Sequence, residues 1–473
     1  MGVERGEFED KLDAILKRTL DGCRGLVSAE RLSGGASQET YRLTIATDDG
    51  ERLACMRRAP GGGMEIPDDD RINPGLAVEA ELMRAARAAG VPEPEVYHVL
   101  EPGDGLGEGF VMEWLEGEAL GARIARSPDF EDLRGRLAFE CGQQLARIHG
   151  IDLDGTGLRD KLQVATPEHF VRQTWERYQL LETPQPMIDY AGRWLMDHLP
   201  ENPRQTLVHN DFRNGNFMVD RNGIVAVLDW EIAHIGDPMR DLGWICTNSW
   251  RFGVTEKPVG GFGEYEDLFR GYESVSGEPV NPDHVKFWEV FGSFWWAVGC
   301  LGMAEHYRTG PDQTVERPAI GRRSSECQVD CVNLLIPGPG TLIEPADVTA
   351  DDDMPRIDEL VTSVRDFLRE DVMGATQGRT NFLARVAGNS LDIVLRQLAL
   401  GEGARAAEHA RLRDLLGSDG SLSELRWQLT RALRDGTMAL DAPGLAEHLR
   451  ATVVNQIAID QPKYSGFRTA TSG

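Results

Sequence analysis

Leu207-Val-His-Asn-Asp-Phe-Arg-Asn-Gly-Asn-Phe-Met-Val-Asp-Arg-Asn-Gly-Ile-Val-Ala-Val-Leu-Asp229 sets apolar runs around Asn222-Gly223, the dipeptide that most strongly signals a two-residue hairpin turn. With those two residues at the turn, Arg221 faces Ile224 and Asn216 lies directly across from Asp229. An amide and a carboxylate brought together at the open end of a hairpin offer oxygen ligands suited to magnesium. Asp211 stands five residues before Asn216, on the loop that enters the hairpin. There it is placed to take a proton from an incoming hydroxyl. The plainer alternative is an Asn-Gly hairpin with surface carboxylates. The joint spacing of His209, Asp211, Asn216 and Asp229 weighs against it.

His209-x-Asp211-x-x-x-x-Asn216 followed by Asp229 resembles the catalytic core of the protein-kinase-like fold. The text around it, continuing as Leu228-Asp-Trp-Glu-Ile-Ala-His-Ile-Gly-Asp-Pro-Met-Arg-Asp-Leu-Gly-Trp244, is similar to the aminoglycoside phosphotransferase family. With Trp250-Arg-Phe-Gly253 added, it looks most like the kinase-like domains associated with acyl-CoA dehydrogenases. The resemblance covers roughly residues 25–336. It implies a two-lobed α+β protein-kinase-like fold, ATP and magnesium as cofactors, Asp211 as the catalytic aspartate, and Asn216 and Asp229 as metal ligands. Arg213 falls where protein kinases carry a lysine that touches the transferred phosphate. A guanidinium can do the same work bidentately, or it can form a surface salt bridge. His209 is implied to brace the loop without acting as a base, and Asp241 to hydrogen-bond the loop from beneath. Asp237-Pro238 reads as an N-cap and first-turn proline.

A nucleotide lobe must also be present. Ser33-Gly-Gly-Ala-Ser-Gln-Glu-Thr40 lies between strand candidates, where Gly34, Gly35 and Ser37 let backbone N–H groups approach phosphates. It lacks the GxGxxG of protein kinases. Tyr41–Ile45 and Arg52–Met56 read as paired strands around Asp48-Asp49-Gly50. Period-two alternation puts Leu53, Cys55 and Arg57 on one face and Met56 on the other, so Arg57 projects toward the nucleotide. Kinases usually carry lysine there; here the candidates are Arg57 and Arg58. Glu79 shares the inward helical face of Leu82, Met83 and Ala86, while Glu81 is turned away. An inward carboxylate requires a partner, and Arg57 is the expected one. Val111-Met-Glu113-Trp114 would be the hinge that holds adenine through backbone groups.

The chain's 473 residues exceed one ordinary core, which leads us to expect about two or three domains. We expect a nucleotide-binding lobe over 1–112, a mainly helical catalytic lobe over 113–340 and an all-α helical bundle over 341–473. The last boundary follows the breaker Ile336-Pro-Gly-Pro-Gly340. Beyond it Ile357, Leu360, Val361, Val364, Phe367 and Leu368 recur at helical spacing. Ser421-Leu-Ser-Glu424 is a capping box that opens a helix with Leu425, Leu429 and Leu433 inward. Pro443 opens another, with Leu445, Leu449, Val453 and Ile457 on one face. His409 and His448 read as exposed helix residues. This region resembles an uncharacterised helical domain found beside such phosphotransferases.

Fifty Lys and Arg against 77 Asp and Glu give a formal net charge of −27, a field that repels nucleic acid and anionic lipid. Seven scattered cysteines without a CxxC pair fit a reduced, cytoplasmic setting better than a disulfide or zinc framework. The opening residues lack the pattern of a signal peptide. The apolar stretch Val290–Ala304 is shorter than the roughly 20 residues of a membrane helix and reads as a buried helix. The expected partner is a small-molecule hydroxyl acceptor, such as a hydroxy acid or its CoA ester, an amino alcohol or an aminoglycoside, with no nucleic acid and no membrane. The sequence carries no signal for oligomeric state. Arg57 in place of lysine motivates an alternative, a nucleotide-binding pseudokinase that regulates through its helical domain; intact Asp211, Asn216 and Asp229 argue against it. Asp229 and Asp241 are only twelve residues apart, too close for the peptide-docking segment of a protein kinase.

Overall fold

A computed structural model of the chain describes residues 6–32, 38–59, 72–350 and 353–472. Two compact units divide them. One gathers the described residues up to Thr166 with Asn202–Cys246 and Trp250–Val285; the other gathers Pro167–Glu201, Thr247–Ser249 and the residues from Lys286 onward.

The first unit opens with helix α1 (Glu7–Thr19), strands β1 (Cys23–Leu32), β2 (Glu39–Thr47) and β3 (Gly50–Ala59), helix α2 (Leu76–Ala88), and strands β4 (Val96–Val99) and β5 (Glu108–Glu113). The strands form one antiparallel sheet in the order β1-β2-β3-β5-β4. Alternation sets its faces: Tyr41, Leu43 and Ile45 are buried while Arg42 is exposed. Met56, paired with Tyr41, joins the same core, which Leu12, Ile15 and Leu16 of α1 cover. Full burial of each such side chain contributes about 1.5–3 kcal/mol. Helix α2 packs against β4 and β5.

Further on in this unit, helix α3 (Glu131–His149) precedes short strands β6 (Thr206–Val208), β7 (Phe217–Asp220), β8 (Gly223–Val227) and β9 (His234–Gly236), then helices α4 (Met239–Cys246) and α5 (Tyr265–Ser276). Helices α3 and α5 approach at Gly142 and Gly271. A Cβ at Gly142 would stand 2.1 Å from the Leu268 carbonyl, and one at Gly271 would stand 2.1 Å from that of Phe139. Neither site has room for a side chain.

The β7–β8 hairpin corrects the expected register. Asp220 pairs with Gly223 and Met218 with Ala226, so Arg221-Asn222 form the turn, not Asn222-Gly223. The reason is local. Asp220 Oδ1 accepts the N–H groups of Asn222 at 2.6 Å and Gly223 at 3.1 Å, which closes the chain one residue early, and a bulge between Met218 and Val219 takes up a further residue. Gly223 supplies the positive φ of 142°. Asn216 therefore lies opposite Leu228, whose N–H donates to the Asn216 carbonyl at 2.8 Å, and not opposite Asp229.

In the second unit every described element is helical. Val290–Ala304 belongs to helix Pro282–Thr309, with Phe291 and Phe294 fully buried. Among the described residues no helix is long and apolar enough to cross a membrane. Asp189, on helix Pro186–Asp197, accepts from Trp175 at 3.0 Å, Tyr178 at 3.0 Å and Arg434 at 2.6 Å. Arg434 belongs to helix Leu422–Asp435, so helices before and after residue 341 share one core. The capping box closes as expected: Ser421 Oγ accepts the Glu424 N–H at 3.3 Å and Glu424 accepts the Ser421 N–H at 2.8 Å. Leu425, Leu429 and Leu433 are buried behind it. One expectation fails here. His448 is only 2% exposed, not at the surface, because it lies on the inward face of helix Leu445–Asp460. The apolar face of helix Ile357–Phe367 is half exposed at Ile357, Leu360, Val364 and Phe367. All seven cysteines are free thiols.

Candidate active site

The loop between β6 and β7 is held from below by one carboxylate. Asp241, in the first turn of α4, is fully buried. Its Oδ2 accepts the His209 N–H at 2.8 Å and its Oδ1 accepts the Asn210 N–H at 2.7 Å. Burial works to raise the Asp241 pKa, yet the His149 ring at 3.0 Å and the backbone donors hold it below the usual range. Two backbone donors are thereby satisfied while Asn210 adopts a left-handed φ of 70°. Asp237 Oδ1 caps α4 by accepting the Met239 N–H at 3.0 Å.

His209 is fully buried, and burial pushes its pKa down against the pull of Asp241, Asp211 and Asp229. Its ring is neutral. Nδ1 accepts the Asp211 N–H at 3.3 Å, so the single proton sits on Nε2 and donates to the Leu228 carbonyl at 3.1 Å. Both ring nitrogens are committed to backbone, which leaves no lone pair for proton abstraction.

Asp211 sits above this brace. Oδ1 accepts from the Trp244 indole at 2.7 Å and from Arg213 Nε at 3.2 Å; Oδ2 accepts from Asn216 Nδ2 at 2.5 Å. Burial raises the Asp211 pKa above the ordinary carboxylate value, with Arg213 and Trp244 opposing. Because a carboxylate faces the Asn216 nitrogen, the amide oxygen of Asn216 points away from Asp211. Arg213 also stacks over Trp250 at 4.4 Å, which fixes its planar head beside Asp211.

Of the two arginines on β3, Arg58 is taken by Glu39 at 2.7 Å. Arg57 meets Glu79 Oε1 at 2.5 Å, Gln38 Oε1 at 2.7 Å and Asp229 Oδ1 at 3.5 Å. The expected partnership of Arg57 with Glu79 is present, and Glu79 is 1% exposed while Glu81 pairs with Lys161. Burial pushes the Glu79 pKa up to about 7; Arg57 opposes, and Asp229 and Glu231 add to the rise. Asp229, at φ 70°, stays 35% exposed. Glu231, two residues on, is raised by burial first and then by Asp229.

Glu113 ends β5 with its N–H donated to the Glu95 carbonyl at 2.8 Å and its carboxylate accepting the Glu95 N–H at 3.2 Å. Gly34, Gly35 and Ser37 lie outside the described residues. Among the described residues no three His, Cys, Asp or Glu side chains gather as a metal cluster. One amide oxygen and one carboxylate fit magnesium, which usually takes few protein ligands and completes its shell with water and phosphate. Arg57 suits phosphate oxygens. Sequence reasoning missed Trp244, Gln38 and His149, whose roles come from contacts 33, 19 and 92 residues away in the chain. Trp244 closes the quoted motif, but nothing in its spacing marks an indole N–H aimed at Asp211.

Residues 28–277 match the profile described as the phosphotransferase enzyme family, and residues 374–464 match a domain of unknown function. Acyl-CoA dehydrogenase family member 10 of Mus musculus is 32% identical over 250 residues, covering 50% of this chain and 22% of that protein. Acyl-CoA dehydrogenase family member 11 of Homo sapiens is 24% identical over 433 residues, covering 82% of this chain and 51% of that protein. The chain thus spans about half or less of the curated relatives it matches. A crystal structure of a Ralstonia eutropha protein, provisionally assigned as an aminoglycoside phosphotransferase, superimposes with a TM-score of 0.54 at 23% identity, covering 67% of this chain and 95% of that one. That likeness is one of fold. The chain has the expected kinase-like mixture of sheet and helix, followed by a helical region.

Proposed function

The chain belongs to the phosphotransferase enzyme family, and on that premise we propose that it transfers the terminal phosphoryl group of ATP, with magnesium, to a hydroxyl of a small molecule. In this reading Asn216 Oδ1 and Asp229 hold the metal and Arg57 holds phosphate oxygens. When bound, metal and nucleotide supply charge neutralisation and the transferable group. Asp211 receives the proton of the acceptor hydroxyl as the new O–P bond forms. Its raised pKa makes it a stronger base than an ordinary carboxylate. Trp244 and Asn216 hold its two oxygens in one orientation, and Arg213, already anchored on Trp250, is positioned to bind an equatorial phosphate oxygen. Residues 1–112 serve the nucleotide, 113–340 the acceptor and chemistry, and 341–473 an accessory role. Seven free thiols support a cytoplasmic setting.

The observation that carries this reading is the doubly anchored Asp211 carboxylate beside Asn216. The likeness to acyl-CoA dehydrogenase family members supports hydroxy acids or their CoA esters as acceptors ahead of amino alcohols and aminoglycosides. The test is phosphoryl transfer from labelled ATP to a panel of these three classes. Transfer to one class that is lost in Asp211→Asn, while nucleotide binding persists, supports it; magnesium-dependent nucleotide binding with no transfer to any hydroxyl sinks it. That second outcome would favour a nucleotide-binding pseudokinase, a reading supported by the Arg57 guanidinium 3.5 Å from Asp229, where a cation already competes for the metal ligand.

A further inference from the structure

A cavity of about 510 Å³ lies wholly within the second unit, a size typical of small-molecule sites. Helix Leu445–Asp460 lines it along one face, through His448, Leu449, Thr452, Val453, Gln456 and Asp460. Met187 and Leu301 extend the apolar wall begun by Leu449 and Val453.

The polar part of the lining is unbalanced toward donors. Glu408 is taken by the fork of Arg426, through Nε at 2.6 Å and Nη2 at 2.5 Å, which leaves Nη1 on the far edge of that guanidinium. Asp460 accepts from Arg322 at 3.0 Å on Oδ1 and from Gln456 at 2.9 Å on Oδ2. Each lining acid thus already accepts from a lining guanidinium, and Arg308, 3.6 Å from Glu305 outside the lining, adds a third guanidinium. His448 is 2% exposed, and its Nδ1 has no hydrogen-bond partner. Burial, with Arg411 and Arg426 nearby, pushes its pKa down to about 3, so the ring is neutral and carries one N–H. Native interiors rarely leave a buried ring nitrogen unpaired, and His448 lines the cavity, where a ligand oxygen accepts its N–H when the ring turns that nitrogen inward.

We propose that this cavity binds a small amphipathic organic acid, with its aliphatic body on the Met187, Leu301, Leu449 and Val453 wall and its carboxylate on the Arg426, Arg322 and His448 donors. The site is independent of the phosphotransfer residues, all of which lie in the first unit.

Calorimetric titration of the full chain with hexanoate, octanoate and decanoate tests this. Saturable one-to-one binding is expected, tightening about fourfold per added methylene, with 1-octanol at least about tenfold weaker and inorganic phosphate not binding. Leu301→Trp should abolish octanoate binding by filling the cavity. His448→Phe should weaken it about tenfold while keeping or raising the melting temperature, because a buried orphan is removed. A diazirine-bearing octanoate should label the wild-type helix Leu445–Asp460, a readout that does not depend on any variant folding. No saturable binding of any acid, equal affinity for 1-octanol or phosphate, unchanged binding by Leu301→Trp or His448→Phe, or labelling elsewhere would each overturn the proposal.

Discussion

The Trp244 indole N–H donates to Asp211 Oδ1 at 2.7 Å. Helix α4 thus reaches the loop twice, through Asp241 to its backbone and through Trp244 to the Asp211 side chain. Trp244 is a positioning residue in this arrangement. A hydrogen bond to a charged group is worth about 1.5–3 kcal/mol, so Trp244→Phe should lower kcat roughly tenfold to a hundredfold with the KM for ATP nearly unchanged. The indole lowers the Asp211 pKa. Its loss should move the acid limb of the kcat/KM profile to higher pH. An unshifted profile would assign Trp244 a packing role only. Asp211→Asn should cost roughly 10²–10⁴-fold.

Asp241→Asn replaces an acceptor of two backbone N–H groups by an amide that can face only one of them with oxygen. The expected loss is about 3 kcal/mol of unfolding free energy at pH 7, read by urea denaturation. The folded pKa lies below the ordinary carboxylate value, so this contribution is present above about pH 4 and disappears as pH falls through the folded pKa. The gap between wild type and variant should therefore narrow in acid.

Glu79 behaves in the opposite sense. Its folded pKa of about 7 lies above the unfolded value. Between the ordinary carboxylate range and pH 7 the folded state keeps a proton that the unfolded state has released, so stability from this group falls as pH rises across that window and then levels off. Subtracting the stability profile of Glu79→Gln from that of wild type should isolate this slope. A flat difference would mean the Arg57 contact at 2.5 Å keeps Glu79 ionised throughout.

Leu429 is fully buried and Leu360 is 53% exposed, although both occupy apolar stripes of C-terminal helices. Leu429→Ala should cost about 2–5 kcal/mol through lost burial and a residual cavity. Leu360→Ala should stay within about 0.5 kcal/mol. Chemical denaturation of the two variants decides between them, and equal losses would show that the Leu360 face is covered in solution.

Local signals were legible wherever one element carried them whole. The alternation of Tyr41, Leu43 and Ile45 marks a half-buried strand, and Ser421 with Glu424 marks a helix start, because the groups that satisfy each other lie a few residues apart. The same reasoning misplaced the hairpin turn. Asn222-Gly223 is the stronger dipeptide, but Asp220 uses its side chain to close the turn one residue earlier, and a bulge then resets the pairing. His448 was misjudged for a different reason: its helix is apolar on more than one face, so polarity alone did not tell which side met other helices.

The sequence alone identified the family, through a block that carries His209, Asp211, Asn216 and Asp229 at their joint spacing. It also determined that the inward Glu79 needed a cation, since an unpaired buried carboxylate is too costly to keep. The packing of whole elements set the rest: Trp244 anchors Asp211, Asp241 holds both His209 and Asn210, and Asp229 approaches Arg57. These contacts join residues far apart in the chain, and their geometry depends on how whole elements pack, a quantity that no local pattern of residues encodes.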